Sequence, residues 1–193
     1  TGGVHGAALG DDEVAATKEV LGFDPEKTFH IDNEVLAHTR KLRERGAEKH
    51  AQWQKKFDAW AADNAENKAL FDRMSARELP ENFDAKLPVW EPGDAIATRK
   101  ASEATIQALA AALPEMWGGS ADLAGSNNTV IKDADSFGPE NITTNKWSAQ
   151  PYGRNLHFGI REHAMSAIMN GIALHGNTRV YGGTFLIFSE YQY

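Results

Sequence analysis

The stretch "NLHFGIREHAMSAIMNGIALHGNTRVYGGTFLIF", residues 155–188, decides how the chain is read. Residues 155–160 have the character of a strand. Met165, Ile168, Met169 and Ile172 then fall at i, i+3, i+4 and i+7, one face of a helix over 161–175. Gly176 can close that helix, and residues 178–188 return to β character. Strand, helix and strand in succession form the unit of an open α/β sheet. The helix is apolar enough to read as buried, yet it begins with Arg161, Glu162 and His163 in a row. Three ionisable groups at the mouth of a buried element are costly unless each has a partner or a task.

Upstream, "AIATRKASEATIQALAAALPEM" (95–116) predicts a helix. Thr98 or Ser102 can cap it, Ile106, Leu109 and Leu113 share a face, and Pro114 ends it. "MWGGSADLAGSNNT" (116–129) reads as a strand end running into a loop of small and polar residues, and 130–155 as irregular chain. Both "GGSADLAGS" and "GIREH" follow strands, where ligands sit in open α/β sheets. Three prolines and a glycine in "ELPENFDAKLPVWEPGD" (78–94) predict an extended connector. Before it, 33–79 is highly charged. Trp53, Phe57 and Trp60, and then Leu70 and Met74, mark one apolar stripe, read as packing, on helices that Gly46 and "ADNAEN" (62–67) are expected to break. "GDDEVAATKEVLGF" (10–23) predicts a short helix capped by Asp11 or Asp12 and closed by Gly22, and "DPEK" (24–27) a further helix start. The domains expected are 1–80, mostly helical, a connector at 81–97, and an α/β unit over 98–193.

A hydrophobic fraction of 41% in 193 residues supports a packed core. A net charge of −7 argues against general nucleic-acid binding and against anionic membrane surfaces. No run approaches the roughly 18 apolar residues of a spanning helix. The absence of cysteine removes disulfides, thiolate catalysis and Cys-ligated zinc. A soluble cytoplasmic protein is expected. The first residue is not Met, and the last follows an apolar aromatic run, so a piece of a longer chain is expected.

For Glu162 two readings stand. In the first turn after a strand, the helix dipole favours the anion while burial raises the pKa, and a carboxylate so placed can share a proton with a ligand nitrogen. Alternatively it pairs with Arg161 or His163. "GGSADLAGSNN" (118–128) lets a ligand approach the backbone closely or is a plain loop, since neither GxxxxGK[ST] nor GxGxxG is present. Phe185, Phe188 and Tyr191 recur every three residues and form either an apolar wall for a ring or core packing. The seven histidines show no metal-binding spacing, and no GxSxG elbow offers a serine nucleophile.

"VHGAALG", "TRKASE", "GGSADLAGSN", "FGIREHAM" and "YGGTFLIFSEY" occur in an order and spacing that closely resemble transketolases, over the whole chain and most densely in 97–193. The resemblance implies a partial thiamine-diphosphate-binding fold. It would comprise the helical C-terminal part of the pyrophosphate-binding domain and the first half of the pyrimidine-binding domain with its parallel sheet. It implies thiamine diphosphate as cofactor, sugar phosphates as substrates, and a homodimer partner that completes the active site. Glu162 matches the catalytic glutamate, which would hydrogen-bond N1′ of the aminopyrimidine ring so that the 4′-nitrogen takes the proton from thiazolium C2. Phe185, Phe188 and Tyr191 match the aromatic pocket, with Phe188 as the stacking partner. Asp122 and Leu123 match the lining of the cofactor cleft. Arg99 and Ser126 match the pair that grips the substrate phosphate, a task that suits an Arg fork.

Many transketolases carry a His where Gly2 stands here, although His5 is present in the same loop. The GDG motif that holds Mg2+ or another divalent cation in the family is absent, as are the later phosphate-site residues and the third domain. The segment alone is therefore expected to be inactive, with no metal site of its own. Dihydroxyacetone synthase, deoxyxylulose-phosphate synthase and a non-catalytic dimerisation module stay open as alternatives.

Overall fold

Two helices, α1 (Asp11–Val20) and α2 (Asn33–Asp63), dominate the first of the two units into which the chain divides, Thr1–Asp63; the second is Asn64–Tyr193. The computed structural model describes residues 2–193, and Thr1 lies outside the described residues.

Helix α1 starts after Gly10, and no side chain caps it. Asp11, Asp12 and Glu13 instead fill its first turn, where the dipole favours anions. Its end follows the expectation for Gly22. With φ at 79°, the Gly22 N–H donates to Glu19 O at 3.0 Å and the Phe23 N–H to Lys18 O at 2.8 Å. "DPEK" does not start a helix. Asp24 Oδ1 accepts from the Glu26 N–H at 3.0 Å, and a local side-chain bond of that kind competes with helix. Gly46 does not break α2 either. One interior glycine costs about 1 kcal/mol against alanine, and Arg, Glu, Ala and Lys around it are strong helix formers. The break comes at Asn64, with φ −135° and ψ 56°, before α3 (Ala65–Ser75). Trp53, Phe57 and Trp60 stack along α2 with centroids 5.1 and 5.6 Å apart, yet no residue of α2 is buried and Trp53 is 52% exposed.

The second unit is built on a parallel sheet. After a 3₁₀ turn at Phe83–Lys86 come α4 (Thr98–Ala112), β1 (Met116–Ser120), a single turn α5 (Ala124–Asn127), β2 (Ser136–Phe137), β3 (Ala149–Gln150), β4 (Asn155–His157), α6 (Glu162–His175) and β5 (Arg179–Gly183). The strand order is β3-β2-β4-β1-β5. Neither Thr98 nor Ser102 caps α4, because Thr98 is already its first helical residue. Ile106 and Ala110 of this helix and Leu113 just after it pack with Met116 and Ile131, while Met165 of α6 packs with Ala121 and Phe158. Within the irregular 130–154 segment, the buried Asn155 amide accepts from Ile131 N–H at 2.8 Å and donates to Ile131 O and Ala134 O.

Three readings from the sequence change here. The strand expected over 155–160 stops at His157, since Gly159 turns the chain at φ 69°. Helix α6 buries only Met165 and leaves Ile168 49% and Leu174 83% exposed, because among the described residues nothing covers its outer face. After Gly183 the chain leaves the sheet for a 3₁₀ turn, Leu186–Gln192, rather than continuing as strand.

At the amino end of the sheet, Glu115 is 4% exposed. Both of its carboxylate oxygens accept from Arg73 of α3 at 2.8 Å, and Arg179 Nε lies 3.5 Å away. Burial pushes the Glu115 carboxyl up, but the Arg73 hydrogen bonds and the two positive charges outweigh burial and hold it below the usual carboxylate range. A carboxyl with a depressed folded pKa stabilises the fold above its unfolded pKa and stops doing so as pH falls through the folded value. Glu115→Gln is expected to cost about 3 kcal/mol at neutral pH and to flatten the loss of stability below the ordinary carboxylate range. Denaturant unfolding of both proteins across acid pH checks this, and an unchanged midpoint would refute it.

Candidate active site

Parallel pairing sets Ser120 opposite both His157 and Gly183, so the carboxyl ends of β4, β1 and β5 are level. The chain leaves β1 toward β2 and leaves β4 toward β5, and the α4 and α6 clusters form separate cores. The loops after β1 and β4 thus diverge, which opens a crevice at the strand ends.

One hollow of about 440 Å³ lies there, lined by Ala121, Asp122, Leu123, Ile160, Glu162, Phe188 and Tyr191. Three separate segments supply it: the loop after β1, the β4–α6 turn, and the 3₁₀ turn at the end. Glu162 opens α6, half-buried in the first turn. It does not pair with Arg161, whose guanidinium donates to Phe158 O at 3.1 Å. Among the described residues Glu162 enters no ion pair, and no side chain caps the helix. Its side chain lines the hollow. Phe188 and Tyr191 have ring centroids 6.3 Å apart and form an aromatic wall opposite Leu123.

A second hollow of about 760 Å³ takes Arg99, Ser126 and Phe185. Arg99 Nη1 donates to Ser126 O at 3.4 Å. Phe185 therefore does not line the hollow with Glu162, although its ring stacks on Phe188 at 6.2 Å. The eight residues singled out in the sequence divide five to three between these neighbouring hollows. Among the described residues no group of three or more His, Asp and Glu could hold a metal ion.

Sequence reasoning passed over two residues at this end of the sheet. Ser120, 3% exposed, bonds the loop after β1 to β5. His157 stacks on Trp147 with centroids 4.5 Å apart and meets Ser136 Oγ at 2.8 Å. Desolvation pushes the His157 imidazole down, partly opposed by the charge of Asp122. A strand-end position after a buried Asn was the available signal for His157, and a polar residue ending a glycine strand the signal for Ser120.

Residues 94–193 match the family model described as transketolase, pyrimidine binding domain, and residues 1–80 the one described as transketolase, thiamine diphosphate binding domain. The transketolase of Mycobacterium tuberculosis is 63% identical over 193 residues, all of this chain and 28% of that protein. The transketolase of Geobacillus stearothermophilus is 43% identical over 192 residues, 99% of this chain and 27% of that protein. The crystal structure of a Pichia stipitis transketolase in complex with sedoheptulose 7-phosphate superposes with a TM-score of 0.84 at 41% identity, covering 98% of this chain and 28% of that one. The chain thus spans about 28% of the length of the mycobacterial relatives it matches.

A His of lowered pKa resists protonation in the folded state, so folding is disfavoured progressively as pH falls below the ordinary value. An NMR titration is expected to place the His157 midpoint below 6.5. Removing the stacked ring with Trp147→Ala is expected to move it back toward that value, and a wild-type midpoint at or above 6.5 would refute the account.

Proposed function

The chain belongs to the transketolase family, and on that premise we propose that it carries the pyrimidine side of a thiamine diphosphate site in an enzyme that moves a two-carbon ketol unit from a ketose phosphate to an aldose phosphate. What supports the reading above all is the gathering of Glu162, Phe188, Tyr191, Asp122 and Leu123 around one hollow. Aromatic walls, apolar Leu123 and Ile160 and the carboxylates of Glu162 and Asp122, neither in an ion pair among the described residues, match the chemistry of an aminopyrimidine ring, flat and apolar on its faces and basic at one edge.

When bound, thiamine diphosphate supplies the electron sink for breaking and making the ketol carbon–carbon bond. The residues of the chain have simpler tasks. Glu162 holds a proton against the ring nitrogen N1′. Phe188 stacks on the ring, Tyr191 closes its wall, and Phe185 backs Phe188 from the neighbouring hollow. Asp122 and Leu123 form the opposite lip. Arg99 and Ser126 grip the substrate phosphate, which favours transketolase over the related thiamine enzymes.

The domain assignment that goes with this reading is 1–80 for the C-terminal part of the pyrophosphate-binding domain, 81–97 for the connector and 98–193 for the first half of the pyrimidine-binding domain. Mg2+ or another divalent cation would be held elsewhere in the full-length parent. That parent would be a cytoplasmic homodimer of the pentose phosphate pathway, whose partner subunit completes each site.

Glu162→Gln in the full-length parent is expected to lower kcat for xylulose 5-phosphate with ribose 5-phosphate by about 100-fold or more. Steady-state kinetics check this, and full turnover in that variant would overturn the proton-holding role. Residues 1–193 by themselves are expected to show no ketol transfer with thiamine diphosphate and magnesium. Turnover in the same assay would show that the missing segments are dispensable.

A further inference from the structure

We propose that Ser120, with Asn127, is a positioning residue that holds the phosphate hollow in register with the hollow of Glu162. The proposal rests on the functional reading above for the identity of the ligands, though not for the geometry. Ser120 Oγ donates to Gly183 O at 2.9 Å and accepts from the Leu123 N–H at 3.1 Å and from Asn127 Nδ2 at 3.2 Å. One buried hydroxyl thereby joins three places: the end of β5, the lip that carries Asp122 and Leu123, and the turn that carries Ser126. The Ala121 N–H adds a bond to the same Gly183 O at 3.3 Å.

The two ends of the loop depend on this oxygen differently. Leu123 hangs on it through its own backbone N–H, next to Asp122, whose φ is 60°. That left-handed conformation is uncommon for any residue but glycine and stands only where neighbours hold it. Ser126 is held by its own N–H, which donates to Leu123 O at 2.9 Å, and through Asn127, whose amide donates to Ser120 Oγ and accepts from Thr129 Oγ1 at 3.2 Å, and the carbonyl of Ser126 in turn accepts from Arg99. Removing the Asn127 amide loosens the phosphate end, where the bonds to Ser120 and Thr129 are both lost, and leaves the bond of Leu123 to Ser120 in place. Removing the Ser120 hydroxyl frees both ends, because Leu123 and Asn127 lose their acceptor together.

This difference gives a test that general loss of stability does not mimic. In the full-length parent, Asn127→Ala is expected to raise KM for xylulose 5-phosphate about tenfold, through loss of the partly buried bonds to Ser120 and Thr129. Its KM for unphosphorylated xylulose and its Kd for thiamine diphosphate should stay within twofold of wild type. Ser120→Ala is expected to raise both the KM for the phosphorylated ketose and the Kd for the cofactor. Amide exchange across residues 121–127 is measured on the same variants and is expected to accelerate in both. Equal KM changes for the two ketoses, or no change, would overturn the register role, and unaltered exchange in Ser120→Ala would overturn the tether itself. If the parent proves inactive on sugars, the functional reading fails, while the exchange result still decides for or against the tether.

Discussion

Strand β1 has almost no room for side chains at its centre, and the site follows from that constraint. A Cβ at Gly119 would fall inside the Leu156 carbonyl, and one at Gly118 would collide with the ring and carbonyl of Tyr181. With hydrogen at both positions, β4 and β5 close on β1 from either side. Tyr181 lies across Gly118, and its hydroxyl donates to Thr129 O at 2.6 Å. Burial pushes that hydroxyl well above the ordinary tyrosine range, so it stays protonated and keeps donating. The Gly183 that follows on β5 sits against Thr129 and Asn127. The loop after β1 and the end of β5 are thereby pressed together where Ser120 joins them.

The two ends of the sheet are built for different purposes. At the amino end a buried carboxylate is satisfied by two arginines, and further arginine bonds close the neighbouring helix ends, with Arg77 donating to Ala173 O at 2.8 Å and Arg179 to Arg77 O at 2.7 Å. Arg73, Arg77, Glu115 and Arg179 all bond within the chain. At the carboxyl end Glu162 enters no ion pair among the described residues, Phe188 and Tyr191 present their rings to a hollow, and Asp122 keeps a strained backbone. Rigidity at one end and uncommitted groups at the other are what an α/β sheet needs to hold a ligand at its strand tips.

Much of this was legible in the residues, for identifiable reasons. The apolar period of 165–172 and the small residues of 118–126 are local signals, and they marked α6 and the loop after β1. The short strands β2 and β3, two residues each, are too short to show a period, and the buried amide of Asn155 rather than local pattern fixes the chain that leads into β2. The extent of α2 was misjudged at Gly46, where a glycine among strong helix formers is merely tolerated. Spacing and the resemblance both group Phe185 with Phe188, and neither sees the bend between them. The change from strand to 3₁₀ turn after Gly183 is what carries Phe185 into the adjoining hollow. Glu162 stayed ambiguous in the residues, since only the directions taken by the Arg161 and His163 side chains separate a paired carboxylate from a free one.

The all-parallel sheet also sets a timetable for folding. No strand of it pairs with a hairpin neighbour, and the bond from Ser120 to Gly183 spans 63 residues. At synthesis rates of roughly 5–20 residues per second, β1 waits about 3 to 13 s after it is made before the chain at β5 exists. During that interval a glycine strand must avoid other partners, on both edges until β4 is made and on its β5 edge thereafter. The poor intrinsic β propensity of "GGS" serves that delay, because a strand that pairs reluctantly by itself adopts its place only when Leu156 and Tyr181 arrive to define it.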